Sequence, residues 1–338
     1  MIYTNEELKK YYKGAYSFRE TEDGWLQAFQ YSEKQMEYFR RTELYWYERS
    51  FASSAKTIEA VTDATEISFD YKIIWQGSLD SFELCINGEI AETYYIENLE
   101  PEGRLTFHLP ANGNIIQSAS ETESSSAMNA PGNKIIIYLP IDATVLVRNL
   151  EADAELTPIE ARRKILWMGD SITQGYGPLR SAYTYVSVAN RILNYDIINQ
   201  GIGGYIYDKG SVMPMEGYLP DEIIVSLGTN QYALGKIKPV REFYERLTEV
   251  YGSEIPVTVI TPIWRCDFIG KKEENNFVRF CEEIKDLLAD YPNVRIIDGF
   301  ELVPHESEFY IDGLHPNRKG AECYGQGLAG IISGLKFS

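Results

Sequence analysis

The sequence predicts a two-part fold: a β-sandwich followed by an α/β unit built on a parallel sheet. The first observation is the length of 338 residues, which suits two ordinary domains. The second is a series of short strand-like segments between residues 58 and 150, spaced roughly ten residues apart. The third is a change of rhythm after residue 164, where strands begin to alternate with helices. We therefore divide the chain into residues 1–155 and 156–338.

The strands of the first part are predicted from alternating hydrophobicity and turn residues. Alternation runs through "EISFDYKIIW", and Asn87-Gly88 joins "SFELCI" to a return strand ending in "AETYYIENL". Further strands are predicted at "RLTFHLP", "NKIIIYLP" and "ATVLVRNLE". Several short strands with turns between them are typical of a β-sandwich.

The remaining segments of the first part have weaker patterns. Within the first 55 residues, "NEELKKYYKG" predicts a short helix and "LYWYERSFASSA" a strand. Residues 111–133 are rich in Ser, Ala and Asn, which predicts a long surface loop. Residues 151–164 are polar and contain Pro158, so we expect a linker there.

The second part alternates strands with helices. The predicted strands are "KILWMG", "YDIINQG", "EIIVSLG", "PVTVITP" and "VRIIDG". The predicted helices are "SAYTYVSVANRIL", "VREFYERLTEVYG", "NNFVRFCEEIKDLLADY" and residues 318–332. This alternation predicts a parallel sheet with helices on both faces. Since binding sites of such sheets lie at the carboxyl ends of the strands, Ser171, Gly204 and Asn230 are expected on one rim.

The composition excludes several classes of partner. The formal net charge is −18, with −13 in residues 1–155 and −5 in residues 156–338. Such a surface disfavours nucleic acids and anionic membranes. No apolar run approaches the length of a membrane span. The sequence leaves the oligomeric state open.

The cysteines and the first residues predict a cellular compartment. No pair among Cys85, Cys266, Cys281 and Cys323 shows the C-x-x-C spacing of a zinc or redox site. The start "MIYTNEELKKYYKG" has no apolar leader. We expect a cytoplasmic protein with reduced thiols, although a secreted protein trimmed of its signal peptide would look the same.

A serine nucleophile needs a base and a group that orients the base. Ser171 follows a predicted strand, where it is either a nucleophile or a helix cap, and Asp170 is expected to support the turn. His315 is the best base, because Asp312 precedes it by three residues on a turn and Pro316 begins the last helix.

The other two histidines suit structural positions. His108 lies in a predicted strand and His305 in a polar loop.

Four short blocks carry a family resemblance. "GDSIT", "NQGIGG", "GTN" and "DGLHP" occur in that order, and together they resemble the GDSL or SGNH hydrolase superfamily over about residues 164–338. The resemblance implies a flavodoxin-like three-layer fold, Ser171 as nucleophile, His315 as base and Asp312 as its partner. It also implies an oxyanion hole formed by the Ser171 and Gly204 amides and the Asn230 side chain. Related proteins with a sandwich in front can orient the histidine without this acid.

The two-part architecture adds an expectation about the substrate. A jelly-roll-like sandwich ahead of such a hydrolase resembles certain carbohydrate acetyl esterases. It implies a serine esterase that hydrolyses short-chain acyl esters, above all O-acetyl groups on carbohydrates, without a metal or cofactor. Two alternatives stay open: an acyltransferase that uses the same residues, and a catalytically inert carbohydrate-binding protein.

Three further side chains are candidates for substrate binding. Trp264 and Arg265 follow the end of a predicted strand, and loop packing explains them equally well. Tyr205 begins residues 205–220, whose Tyr and Met residues suit either a pocket wall or the core.

Overall fold

The computed structural model describes residues 1–78, 80–110 and 132–334. Residues 111–131, which contain most of the predicted surface loop, lie outside this description. Within the described ranges, no helix combines the length and apolar character needed to cross a membrane.

The first part consists of three helices and two antiparallel sheets. In chain order its elements are α1 (Asn5–Tyr11), β1 (Tyr12–Lys13), β2 (Ser17–Glu20), β3 (Leu26–Phe29), α2 (Glu33–Thr42), α3 (Leu44–Arg49), β4 (Thr57–Thr62), β5 (Glu66–Trp75), β6 (Ser81–Ile86), β7 (Glu89–Tyr95), β8 (Glu102–His108), β9 (Asn133–Tyr138), β10 (Thr144–Ala152) and β11 (Leu156–Pro158). One sheet has the order β1-β4-β9-β6-β7, with β11 paired to β4, and the other has the order β2-β3-β10-β5-β8.

The sandwich core lies between these two sheets. Phe69 and Phe107 from one sheet and Leu84 from the other are fully buried in the same cluster. Asn87 and Gly88 have φ angles of 51° and 96°, so they form the expected tight turn between β6 and β7. The predicted sandwich, the hairpin and the helix at residues 5–11 are confirmed.

The strand predicted in residues 44–55 is wrong, because this segment contains helix α3. The Glu43 carboxylate accepts a hydrogen bond from the Tyr45 amide and thereby caps the helix. The indole of Trp46 then packs edge-on against the ring of Tyr205, with 4.9 Å between ring centroids. Aromatic residues favour strands in isolation, but here tertiary packing decides the backbone conformation.

The predicted linker at residues 151–164 is also partly wrong. Glu151 and Ala152 complete β10, and β11 pairs with β4 through Leu156 opposite Thr62. Pro158 ends this edge strand, where a missing N–H costs no ladder hydrogen bond. Strand β11 therefore belongs to a sheet of the sandwich.

The second part is a three-layer α/β unit. Its elements are β12 (Lys164–Gly169), α4 (Ser171–Gln174), α5 (Tyr185–Leu193), β13 (Asp196–Gly201), β14 (Glu222–Ser226), α6 (Thr229–Ala233), α7 (Lys238–Tyr251), β15 (Val257–Ile260), α8 (Lys272–Leu288), β16 (Val294–Ile297) and α9 (Arg318–Ser333). Five parallel strands have the order β13-β12-β14-β15-β16, as the alternation predicted. Single 3-10 turns occur at Ile96–Asn98, Ser181–Tyr183, Lys209–Ser211, Cys266–Phe268, Gly299–Glu301 and Ser307–Phe309.

Helices cover both faces of the parallel sheet, and one of them comes from the first part. Helices α5 and α9 bury Tyr185 and Leu328 on one face, whereas α7 and α8 bury Phe243 and Ile284 on the other. The connection between β13 and β14 contains only a 3-10 turn. Helix α2 completes that face, since Phe39 belongs to the same buried cluster.

Buried polar contacts also join the two parts. The Gln200 side chain donates to the Gln30 carbonyl (2.9 Å), and the Asn199 side chain donates to Ser54 Oγ (3.1 Å). The fully buried Glu83 carboxylate accepts hydrogen bonds from the Arg180 side chain and the Ala182 amide. Buried hydrogen bonds therefore fix the sandwich to the α/β unit.

Candidate active site

The first candidate residue, Ser171, lies directly beyond the carboxyl end of β12. Asp170 caps the short helix α4, because its Oδ1 accepts a hydrogen bond from the Ile172 amide (3.0 Å). Burial raises the pKa of Asp170 to about 7. Ser171 is the first helical residue, so its amide has no acceptor within the helix. Asp170 supports the turn as expected and leaves the serine at the rim.

A hydrogen-bonded chain connects Ser171 to His315 and Asp312. Ser171 Oγ lies 2.8 Å from His315 Nε2, and His315 Nδ1 lies 2.7 Å from Asp312 Oδ2. The His315 side chain is only 13% exposed, whereas that of Asp312 is 45% exposed. The structure thus brings together the three residues that the sequence proposed as a triad.

The surroundings of Asp312 favour its ionised form. Burial alone would raise the pKa of Asp312, but hydrogen bonds from the His315 amide, the His315 ring and the Leu314 amide outweigh burial and hold the pKa below its usual value. The two amides bind Oδ1 at 2.8 and 3.0 Å, which leaves Oδ2 for the imidazole. The carboxylate therefore accepts the N–H of Nδ1, and Nε2 is free to accept the serine proton.

The two other oxyanion candidates lie at the ends of β13 and β14. Gly204 is solvent-exposed with φ of 71°, a left-handed conformation that favours glycine. Its amide has no hydrogen-bond partner anywhere in the described parts of the chain. One N–H of the Asn230 side chain donates to the Tyr205 carbonyl (3.0 Å), which orients the amide and leaves its second N–H available.

A buried network that sequence reasoning missed holds the loop before Gly204. Gln174 Oε1 accepts a hydrogen bond from the Gly203 amide, and Gln174 Nε2 donates to Asp142 Oδ1, both at 2.7 Å. Arg49 donates to the same Asp142 oxygen (3.1 Å). Asp142 and Arg49 belong to the first part of the chain, so no local motif could reveal the contact.

The loop after α4 also contacts the histidine. The Tyr176 ring packs edge-on against the His315 imidazole, with 4.7 Å between ring centroids. Gly177 has φ of 126°, and a Cβ there would lie 2.1 Å from the Pro316 carbonyl oxygen. This glycine allows the two loops to meet, and the "GYG" sequence after Ser171 was the available signal.

Trp264 and Arg265 lie beside the loop that carries Asp312 and His315. The loop contact is a hydrogen bond from the Cys266 amide to the Gly313 carbonyl (2.9 Å). Trp264 stacks on the His305 imidazole at 4.9 Å, and Arg265 forms an ion pair with Asp267 (2.7 Å). Both side chains are thus engaged in loop packing, and a role in substrate binding remains a prediction.

Tyr205 does not present its side chain to the rim. The ring is 2% exposed, and its hydroxyl is hydrogen-bonded to Ser211 in the core. Tyr207, Val212 and Met215 from the same segment are equally buried. These four side chains therefore contribute to core packing. Tyr205 contacts the site through its carbonyl group, which accepts a hydrogen bond from Asn230.

The remaining histidines occupy structural positions. His305 lies in an exposed loop, with Nε2 2.9 Å from the Phe300 carbonyl oxygen. His108 ends β8 with its Nδ1 3.9 Å from a Glu92 carboxylate oxygen.

All four cysteines are free. Over residues 1–78, 80–110 and 132–334, no three His, Cys, Asp or Glu side chains are grouped so that they could hold a metal ion.

The sequence of residues 167–323 matches the GDSL-like lipase/acylhydrolase family. The C-terminal half is a GDSL-like lipase/acylhydrolase domain. The family resemblance of the four sequence blocks is thereby confirmed, and the chain carries an ester hydrolase domain. No curated protein matches the chain by sequence.

Solved structures share the fold of both parts. A putative GDSL-like lipase from Bacteroides ovatus has 18% identity and a TM-score of 0.73, with 100% of this chain and 99% of that chain covered. The salicylyl-acyltransferase SsfX3 from a tetracycline biosynthetic pathway has 18% identity and a TM-score of 0.68, with coverage of 96% and 94%. A family two carbohydrate esterase from Clostridium thermocellum, solved with cellohexaose, has 14% identity and a TM-score of 0.60, with coverage of 84% and 93%. The predicted fold class, with a sandwich ahead of a GDSL-like domain, is confirmed.

The hydrogen bonds of Asp312 predict a tautomer that can be measured. In Asp312→Asn, the single carbonyl oxygen still accepts from the two backbone amides, and the NH₂ group then faces His315 Nδ1. Because Nδ1 must now accept, the ring proton moves to Nε2. Nitrogen-15 NMR of histidine-labelled protein at alkaline pH should report protonated Nδ1 in the wild type and protonated Nε2 in the variant.

The signals of His108 and His305 are internal controls that should not change. A proton that stays on Nδ1 in Asp312→Asn would contradict this account of Asp312.

Proposed function

We propose that the chain is a serine esterase that removes short acyl groups, in particular O-acetyl groups, from carbohydrates. The observation that carries the proposal is the hydrogen-bonded chain from Ser171 Oγ to His315 Nε2 (2.8 Å) and from His315 Nδ1 to Asp312 Oδ2 (2.7 Å). In this arrangement the carboxylate orients the imidazole, and the imidazole can take the proton of the serine hydroxyl as the serine attacks a carbonyl carbon.

Acylation begins when Ser171 Oγ attacks the ester carbonyl. His315 Nε2 takes the hydroxyl proton, and Asp312 stabilises the resulting imidazolium. His315 then returns this proton to the alkoxide of the departing sugar, so the C–O bond breaks and the alcohol leaves neutral. The acyl group remains on Ser171.

The oxyanion formed during the attack requires hydrogen-bond donors. The Ser171 amide, the Gly204 amide and the second N–H of Asn230 are the donors we assign to it. Such preorganised donors stabilise the transition state more than the ground state, because negative charge develops on the carbonyl oxygen only in the transition state.

Deacylation repeats the sequence with water. His315 Nε2 accepts a proton from the attacking water, and the same donors hold the second oxyanion. His315 then donates this proton to Ser171 Oγ as the bond between Oγ and the acyl carbon breaks, which restores the serine hydroxyl and releases the carboxylic acid.

Two observations support a short acyl group and a sugar alcohol. Four large apolar side chains of the segment after Gly204 are buried in the core, where they cannot line a pocket for a long acyl chain: Tyr205, Tyr207, Val212 and Met215. A carbohydrate esterase that was solved with cellohexaose shares the two-part fold.

Acyl transfer to an alcohol is the alternative function. It uses the same residues, with an acceptor alcohol in place of water, and a salicylyl-acyltransferase has the same fold over most of the chain. Product analysis separates the two: hydrolysis releases free acetate even when a sugar acceptor is in excess, whereas transfer yields a new ester.

Replacing Ser171 tests the esterase assignment. The wild type should hydrolyse p-nitrophenyl acetate and acetylated xylo-oligosaccharides faster than p-nitrophenyl esters of long fatty acids. Ser171→Ala should lose at least about a thousandfold in kcat, because no other group replaces the nucleophile.

Ser253→Ala is the matched control. This exposed serine precedes β15 and so lies at the amino ends of the parallel strands, whereas Ser171 lies at their carboxyl ends. Its activity should equal that of the wild type. The assignment would be refuted if the wild type hydrolysed none of these esters, or if Ser171→Ala were as active as the wild type. The first result would favour a carbohydrate-binding protein.

Replacing Asn230 tests the oxyanion hole. Asn230→Ala removes one donor, so we expect kcat to fall by about a hundred- to a thousandfold with a much smaller change in KM. Steady-state kinetics with p-nitrophenyl acetate measure both parameters. Near-normal kcat would remove Asn230 from the site.

A further inference from the structure

An exposed aromatic cluster on the first part of the chain lies next to the loop of Gly203 and Gly204, which we call the oxyanion loop. Tyr45 is the second residue of α3, Arg49 is one turn later on the same face, and Trp75 is the last residue of β5. The Arg49 guanidinium carbon lies 4.9 Å from the centroid of the Tyr45 ring and 4.2 Å from that of the Trp75 ring. We call Tyr45, Arg49 and Trp75 the aromatic platform.

Two contacts place the platform beside Gly203 and Gly204. A Cβ built on Gly203 would lie 2.8 Å from the Tyr45 hydroxyl oxygen, so this hydroxyl lies directly against the loop that carries the Gly204 amide. Arg49 and Gln174 share one carboxylate oxygen of Asp142, and Gln174 holds the Gly203 amide. The platform and the oxyanion loop are thus fixed to the same buried carboxylate.

The platform is rigid but open to solvent. Asp142 holds Arg49 by a hydrogen bond of 3.1 Å, and the Arg49 side chain is only 18% exposed. Tyr45 and Trp75 nevertheless keep 43% and 40% of their surface in solvent. Single exposed aromatic residues are common and need no explanation. Two of them, fixed by one arginine at the rim of a candidate active site, form a preorganised binding surface.

We propose that the aromatic platform is a sugar-binding subsite that positions the pyranose ring of the leaving alcohol beside Ser171. This inference rests on the proposed esterase function. The apolar C–H face of a pyranose packs on aromatic rings, and its hydroxyl groups suit the remaining N–H groups of Arg49 and the Tyr45 hydroxyl. Because Asp142 already neutralises Arg49, the subsite favours a neutral sugar over a uronate.

The test compares a sugar ester with an ester that has no ring. The two probes are an O-acetylated methyl β-xylopyranoside and ethyl acetate, both followed by acid release in a pH-stat. Trp75→Ala should lower kcat/KM for the acetylated xyloside about tenfold, mainly through KM, because a stacking contact contributes on that scale. The value for ethyl acetate should stay within about twofold of the wild type, and Trp75→Phe should restore most of the loss on the xyloside.

Tyr195→Ala is the matched control. The Tyr195 ring also contacts an arginine, since the Arg163 guanidinium carbon lies 5.8 Å from its centroid. Tyr195 directly precedes β13, so it lies at the amino ends of the strands, away from the site. This variant should not alter the ratio of the two kcat/KM values.

The possible outcomes separate this subsite from the esterase function. A wild type that hydrolyses ethyl acetate but not the xyloside would overturn the subsite and leave an esterase. Equal losses on both esters in Trp75→Ala, or no loss on either, would also overturn the subsite. A wild type inactive on both esters would refute the esterase function itself. As a second readout, xylobiose should inhibit ethyl acetate hydrolysis in the wild type and about tenfold more weakly in Trp75→Ala.

Discussion

The candidate site depends on the hydrogen bond between Ser171 and His315, which joins residues 144 positions apart in the sequence. Ser171 is fixed by the end of β12, and His315 by the turn that leads into α9. Parallel strands place their carboxyl ends at one edge, so β13 and β14 deliver Gly204 and Asn230 to the same rim. The tight contact between Gly177 and the Pro316 carbonyl then closes the distance between serine and histidine.

The first part of the chain is an integral part of this hydrolase. Helix α2 covers a face of the parallel sheet that the connection between β13 and β14 leaves without a helix of its own. Asp142, between β9 and β10 of the sandwich, holds Gln174 and through it the Gly203 amide. A change in the sandwich can therefore alter the oxyanion loop without touching the nucleophile.

Features encoded over short distances were predicted well, and those set by distant contacts were not. The β5 strand, the Asn87-Gly88 turn and the five parallel strands follow from periodicity and turn residues. The conformation of residues 44–49 could not be predicted, because the packing of Trp46 on Tyr205 outweighs the strand propensity of aromatic residues. Similarly, Asp142 and Arg49 carry no local motif, and their place beside the site appears only once the two parts are folded together.

The central claim is that Ser171 is an activated nucleophile, and covalent labelling tests it most directly. A fluorophosphonate reacts with a serine only when a neighbouring base and an oxyanion hole assist its attack. Peptide mass spectrometry should find one phosphonyl group per chain, on Ser171, and His315→Ala should react far more slowly. An unlabelled wild type, or a label on another residue with the Ser171 peptide unmodified, would contradict the account.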